Sequence, residues 1–447
     1  MSHPAADVRH GVNRPAGGGY RRGAMGRRGA LARRAWMAAL AALLALAVAG
    51  CDGSTSKGTG AIGAGQLVIY TSLPRIGPQR TVGRAVLEGE QMALAQAHGR
   101  VGRYSISLRA LDDATVKSHG WDPGQTNANA ALAAKDTRTI GYLGDLNSGA
   151  SAISLPILNR ADIPQISPLS TAVGLTRGGP EAAPGEPEKY YPAMRRTFAR
   201  VVPNDRVQSA VLVALQERRG CRRVYVLNDD NVDGRDAADS FQAAARRAHL
   251  HVLGYNQFDP GAKSYLSLGV KLARLAPDCV LISALMQDNA VAVTDAVARA
   301  LPRASLFITS ALGQPAFVDP VRGVAERFDP RLTITYPTLA PTDYPPAGRR
   351  FFAAFDRRHG TGATFGIWGY EAMSLMLDAI RRASQGGHRD VTRDRVLHAL
   401  FTTRDRASVL GTYSLNASGD TSLRRYGVYR AVDGRLVFDK AVRAQRG

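Results

Sequence analysis

Short apolar runs alternate with amphipathic helical stretches along this chain, and the alternation restarts after a Pro/Gly/Glu-rich insertion at 178–192. Those two observations predict an α/β protein with two doubly wound parallel-sheet lobes in tandem. Length agrees, because the roughly 380 residues beyond position 65 exceed one ordinary hydrophobic core.

In the first lobe, LVIYTSLP (67–74) is a short apolar, β-branched run and reads as a strand. VGRAVLEGEQMALAQA (82–97) places its apolar residues at helical spacing. YSISLRALDD (104–113) alternates as a strand does, NANAALAAKD (127–136) is an Ala-rich helix, and TIGYLGDL (139–146) is again a strand. Helical spacing returns around 152–159, followed by the short strand IPQIS (163–167). Beyond the insertion the same grammar gives the strand RRVYVLND (222–229), the helix DAADSFQAAARRA (236–248) and the strand HVLGYNQF (251–258). The helix LSLGVKLARLA (266–276) and the strands CVLISAL (279–285) and SLFITSAL (305–312) follow, with a further helix between those two strands. In the C-terminal third, FGIWGYEAMSLMLDAIRRA (365–383) is a long helix carrying Trp368 and Tyr370 at its start.

The N-terminus has a different character. AWMAALAALLALAVAG (35–50) is free of charge, follows a cluster of arginines, and ends in small residues before Cys51. This is the layout of a secretory signal, with basic, apolar and cleavage regions in order. The apolar run falls short of the ~20 residues a membrane span needs. Val48-Ala49-Gly50-Cys51 resembles a bacterial lipobox, which makes Cys51 the lipidation site and residues 1–50 a lipoprotein signal peptide. Met25 would make a more ordinary start for such a signal. Residues 51–65 are Gly/Ser/Thr-rich, a flexible tether. Within it, Gly58-Thr-Gly60-Ala-Ile-Gly63 has the GxGxxG spacing but neither the preceding strand nor the following helix of a dinucleotide site. No cofactor is expected.

The chain carries a net charge of +21. Residues 1–50 hold eight Arg and one Asp, which leaves 50 basic and 36 acidic groups, a net +14, on the remainder. These charges are scattered, with no aromatic interleaving, so the sequence argues against nucleic-acid binding. Apart from Cys51 only Cys221 and Cys279 are present, each beginning an apolar strand-like run. Outside the cytoplasm such a pair is either a disulfide or two buried thiols. No His/Cys cluster has metal-ligand spacing, and no metal site is expected.

In doubly wound sheets ligands bind beyond the carboxyl ends of the strands, and that rule selects the candidate site. The strand TIGYLGDL runs into Asn147, Ser148 and Gly149 at a helix start, where free N–H groups suit an anion. Ser170 and Thr171 end the next strand. Each of these residues is equally suited to plain helix capping. In the second lobe Asp229, Asp230 and Asp233 cluster at one strand end, where carboxylates could meet a cationic group, and Ser283 and Thr309-Ser310 follow the next strands. Asp230 reads as a solvated turn residue. Tyr370 is a candidate wall for an apolar pocket, with plain core packing as its alternative. Catalysis is not indicated: Ser148 lies in Asn-Ser-Gly rather than a GxSxG elbow, and no His completes a triad.

With these pieces in order, the chain resembles the branched-chain amino acid (Leu/Ile/Val) binding proteins of ABC importers, type I periplasmic binding proteins. The resemblance spans 66–440 and rests on LVIYTSLP, LDD (111–113), IGYLGDLNSGA, SLPILNRADIPQISPLSTAVGLT, VYVLNDDNVDG, GYEAMSLMLDAI and GTYSLNASGD…YGVY. It implies two lobes joined by a three-strand hinge that close over a ligand. The first lobe is then 66–200 with 338–411, the second 201–337, and 412–447 supplies hinge and tail. It also implies that Asn147, Ser148 and Thr171 grip the charged head of an amino acid. Where relatives carry Tyr before Gly in the first loop of the second lobe, this chain has Asp233, and where an aromatic often follows the next strand it has Leu285. The acid that usually meets the ligand ammonium has no counterpart near Ala311, which leaves Asp229 and Asp233 for that role.

The expected function is that of a monomeric receptor, lipid-anchored on the outer face of the cytoplasmic membrane. It would deliver a small amino-acid-like or polar ligand to an ABC permease. The alternative is a ligand-sensing lipoprotein that signals to a membrane partner; permease and ATPase genes beside this one would favour the first, a sensor-kinase gene the second.

Overall fold

In the computed structural model, which describes residues 65–360 and 364–445, the alternating runs form two separate sheets. The signal-like segment, Cys51 and the tether through residue 64 lie outside the described residues. No described helix is long and apolar enough to cross a membrane.

The first sheet is built from β1 (Gln66–Leu73), β2 (Tyr104–Asp112), β3 (Thr139–Leu143), β4 (Gln165–Ser167) and β5 (Phe198–Arg200). They stand in the order β2-β1-β3-β4-β5, all parallel, with Arg100–Val101 as an antiparallel edge beside β2. All but the first residue of β1 is buried, as a strand covered on both faces requires. The helices of this layer are α1 (Arg80–Gln96), α2 (Pro123–Lys135) and α3 (Ser148–Arg160).

The second sheet repeats the plan with β6 (Arg223–Asn228), β7 (His251–Gln257), β8 (Cys279–Ser283), β9 (Ser305–Ile308) and β10 (Leu332–Tyr336), ordered β7-β6-β8-β9-β10. Its helices are α4 (Asp205–Arg219), α5 (Val232–Arg247), α6 (Leu266–Leu275) and α7 (Ala290–Ala300). The sheet is not wholly parallel, because β11 (Arg425–Val432) and β12 (Arg435–Arg443) join it beyond β10 as an antiparallel hairpin. The turn carries the reason. Asp433 and Gly434 both have positive φ (49° and 68°), the two-residue geometry that matches strand twist and that Asp-Gly supplies readily.

Between β10 and β11 the chain returns to the first layer. There α8 (Pro346–His359), α9 (Gly366–Ala383) and α10 (Arg393–Phe401) join its core, with α9 lying along α1. The chain therefore passes between layers three times, at 201–204, 337–345 and 414–424. Arg200, fully buried, ties the first passage to the third. Its guanidinium donates to the Asp420 carboxylate (2.9 Å), Thr176 Oγ1 (2.7 Å) and the carbonyls of Ser170 and Ala172. Burial alone would raise the Asp420 carboxyl, yet Arg200 and Arg177 hold it below the usual carboxylate range.

Cys221 and Cys279 are joined by a disulfide, with Cα atoms 5.8 Å apart. Cys221 just precedes β6 and Cys279 opens β8; the two strands are parallel neighbours, so both sulfurs lie at the same strand ends.

Candidate functional site

Both sheets have the strand order 2-1-3-4-5, whose switch points lie between β1 and β3 and between β6 and β8. The loops leaving those strands at their carboxyl ends face each other across a cleft between the two layers. From the first layer, Gln79, Val82, Leu146, Asn147, Leu169 and Thr171 line it. Asp233, Ala237, Thr309, Ser310, Ala311 and Gln314 line it from the second layer, and Tyr336 and Pro337 line it where the second interlayer passage begins. None of these residues is Arg, Lys, His or Cys.

The N-terminus of α3 points at this cleft, as expected of the turn after β3. Its first N–H groups are already engaged by the other layer. Ser148 N–H donates to one oxygen of the Asp233 carboxylate at 2.7 Å and Gly149 N–H to the other at 3.1 Å. Ser148 Oγ turns back and accepts from the N–H groups of Thr171 and Ala172, both at 3.1 Å. One turn along α5, Asp236 repeats the contact, accepting from Val173 N–H at 2.5 Å and Gly174 N–H at 3.3 Å. Two carboxylates three residues apart lie on one helix face, so a single face of α5 bridges the layers twice. An apolar patch beside them, with Trp121 and Ala150 from one side and Leu285 from the other, completes the closure.

The electrostatics follow from burial. Asp233 is pushed up by desolvation, with the N–H groups of Ser148 and Gly149 opposing. Asp236 is driven well above its ordinary value by burial and by the nearby Asp205. Asp205 itself is raised by burial to about 7, with Thr171 and Arg200 opposing.

The remaining candidates divide cleanly. Asn147 and Thr171 line the cleft with Asp233. Ser170 and Ser283 stand behind it: Ser170 Oγ bonds to Ser151 Oγ (2.8 Å) and the Asp145 carbonyl (3.0 Å), and Ser283 Oγ accepts from Thr309 (3.1 Å). Asp229 braces loops of the second layer, accepting from the N–H groups of Leu285 (2.6 Å) and Asn231 (3.1 Å). Burial pushes Asp229 up to about 8. Tyr370 is not at the site. Because α9 runs along α1 rather than across the strand ends, its hydroxyl meets Gln96 (2.6 Å) and its ring lies against Phe351. Asp230 is an exposed turn residue paired with Arg235 and Gln257.

Helix α5 begins four residues earlier than its pattern suggests, which moves Asp233 from a loop onto the first helical turn. Gly234 explains the difference. A side chain there would put its Cβ 2.0 Å from the Asp229 carboxylate and 2.7 Å from the Ser283 carbonyl. The glycine marks close packing of the helix start against the strand ends, not a break in the helix. Sequence reasoning also missed Gln79, Gln314 and Tyr336. Gln79 could have been found from the switch-point rule, since it ends the loop after β1; nothing in the local pattern marks Gln314.

The periplasmic binding protein family matches residues 71–435. No curated protein sequence matches the chain. Among solved structures, a leucine binding protein from Thermotoga maritima superposes with a TM-score of 0.69 at 20% identity, covering 84% of this chain and 99% of its own. A branched-chain amino acid transporter substrate binding protein from Streptococcus pneumoniae, in complex with isoleucine, gives 0.68 at 15% identity over 85% and 99%. An ABC transporter solute binding protein from R. palustris, in complex with benzoate, gives 0.64 at 16% identity over 85% and 97%.

Proposed function

This chain belongs to the periplasmic binding protein family, and we propose that it is an extracytoplasmic receptor that closes over a small polar solute and delivers it to an ABC import permease. The observation that carries this reading is the cleft between the two sheets, bridged by Asp233 and Asp236 and lined by polar side chains from both layers. Three interlayer passages close together form a hinge, and a ligand touching both layers stabilises the closed arrangement. The ligands bound to the structural relatives, isoleucine and benzoate, support a small solute here. Cys51, acylated, would tether the receptor beside its permease, with 51–65 as the leash.

The test is a thermal-shift screen of the full chain against amino acids, amines, small acids and short peptides. A ligand at a hundred times its Kd stabilises by about 2.7 kcal/mol and gives a clear melting shift. No shift with any class would refute the receptor reading. Labelled palmitate incorporated into the wild type but not into Cys51→Ser would support the anchor; equal labelling would remove Cys51 from that role.

A further inference from the structure

The anion site at the start of α3 is filled by the protein's own carboxylate. Ser148 and Gly149 N–H are the groups a ligand carboxylate would need, and Asp233 occupies both. A second, independent feature points to what binds instead. Gln79, Asn147 and Gln314 line the same cleft, are 7%, 2% and 3% exposed, and each has a side-chain oxygen with no hydrogen-bond partner. Buried polar atoms without partners are costly and are normally satisfied when a site is filled. The cleft therefore offers three unmatched acceptors and a carboxylate, while its lining contains no cationic side chain. Val82, Leu146, Leu169 and the ring of Tyr336 supply apolar wall between them.

Resting on the receptor reading above, we propose that the solute is an organic amine with an apolar body and no carboxylate, and that Asp233 sets this selectivity. An ammonium group brings three donors and a positive charge, which match the amide oxygens and Asp233. A ligand carboxylate would have to displace Asp233 from the α3 N-terminus and then lie beside it, two like charges in a water-poor cleft.

The experiment is calorimetric titration of the full chain with matched compounds that differ only in the carboxylate. Leucine is compared with 3-methylbutylamine, phenylalanine with 2-phenylethylamine, and lysine with 1,5-diaminopentane; isovalerate and benzoate are the amine-free controls. At least one amine should bind tenfold or more tightly than its amino acid, and the acids should not bind. In Asp233→Asn the preference for amine over amino acid should fall at least tenfold. Gln314→Leu, which removes one acceptor and leaves Asp233 in place, should weaken the amine at least fivefold. An amino acid or acid that binds wild type as tightly as its amine would overturn the inference and leave the receptor reading standing. Silence across the whole screen would remove both.

Discussion

Asp236 is placed to hold the two layers together without choosing the ligand, and replacing it separates closure from recognition. It lies outside the cleft lining, yet accepts two N–H bonds from the first layer at 2.5 and 3.3 Å. In Asp236→Ala the closed arrangement leaves the Val173 and Gly174 N–H groups without partners, at about 1–3 kcal/mol each if water cannot reach them. Removing a buried carboxylate that already repels Asp205 returns part of that cost. A net loss of about 2 kcal/mol against closure is a shift of roughly thirtyfold in the open-to-closed ratio. Small-angle scattering should show a larger radius of gyration for the variant. Every ligand found by thermal shift should weaken by a similar factor, since a closure equilibrium taxes all of them alike. If scattering and affinities match the wild type within twofold, the two N–H bonds do not control closure and the reasoning fails.

Two other outcomes follow from the same structure. The Cys221–Cys279 bridge closes a chain segment of 58 residues, so chain-entropy arguments put its contribution near 4 kcal/mol; reduction should lower the denaturant midpoint of the second layer, and identical midpoints for oxidised and reduced protein would contradict this. The pH dependence has a definite sign. Burial raises Asp145 and Asp205 to about 7 and Asp229 to about 8, against an unfolded value of about 3.9. Their contribution to stability is complete below about pH 4 and lost as pH rises through 7 to 8. Asp136, held down by Arg138, and Asp420, held down against its burial by Arg200, act oppositely and lose their contribution only in more acid solution. The melting temperature should therefore rise from pH 8.5 to pH 5.5, and a fall across that window would refute the assignment.

Much of the fold was legible because the strands are short and buried on both faces, which leaves unbroken apolar runs such as CVLIS between polar helix starts. The hairpin at β11–β12 has a local signal of its own, Asp433-Gly434, which the alternation of strands with helices does not carry. Tyr370 shows the limit of a helix-start argument: its position in sequence resembles that of Asn147, but its helix packs along a neighbour rather than over strand ends. Gly234 shows another limit. A glycine four residues into a polar stretch looks like loop, and only its approach to Asp229 shows why the helix keeps it.

The sequence by itself determined many of the strands and helices, their order, and the helix start that carries the N–H groups of Ser148 and Gly149, because periodicity and helix starts are properties of neighbouring residues. It also placed Asp233 among the acids of the second lobe. Only the tertiary structure decided that this acid, 85 residues from Ser148, fills the anion site, and that Gln79 and Gln314, each with an unpartnered side-chain oxygen, line the same cleft. Which donor meets which acceptor depends on how two separately folded sheets come together. No local pattern encodes that juxtaposition, and the choice of ligand rests on it.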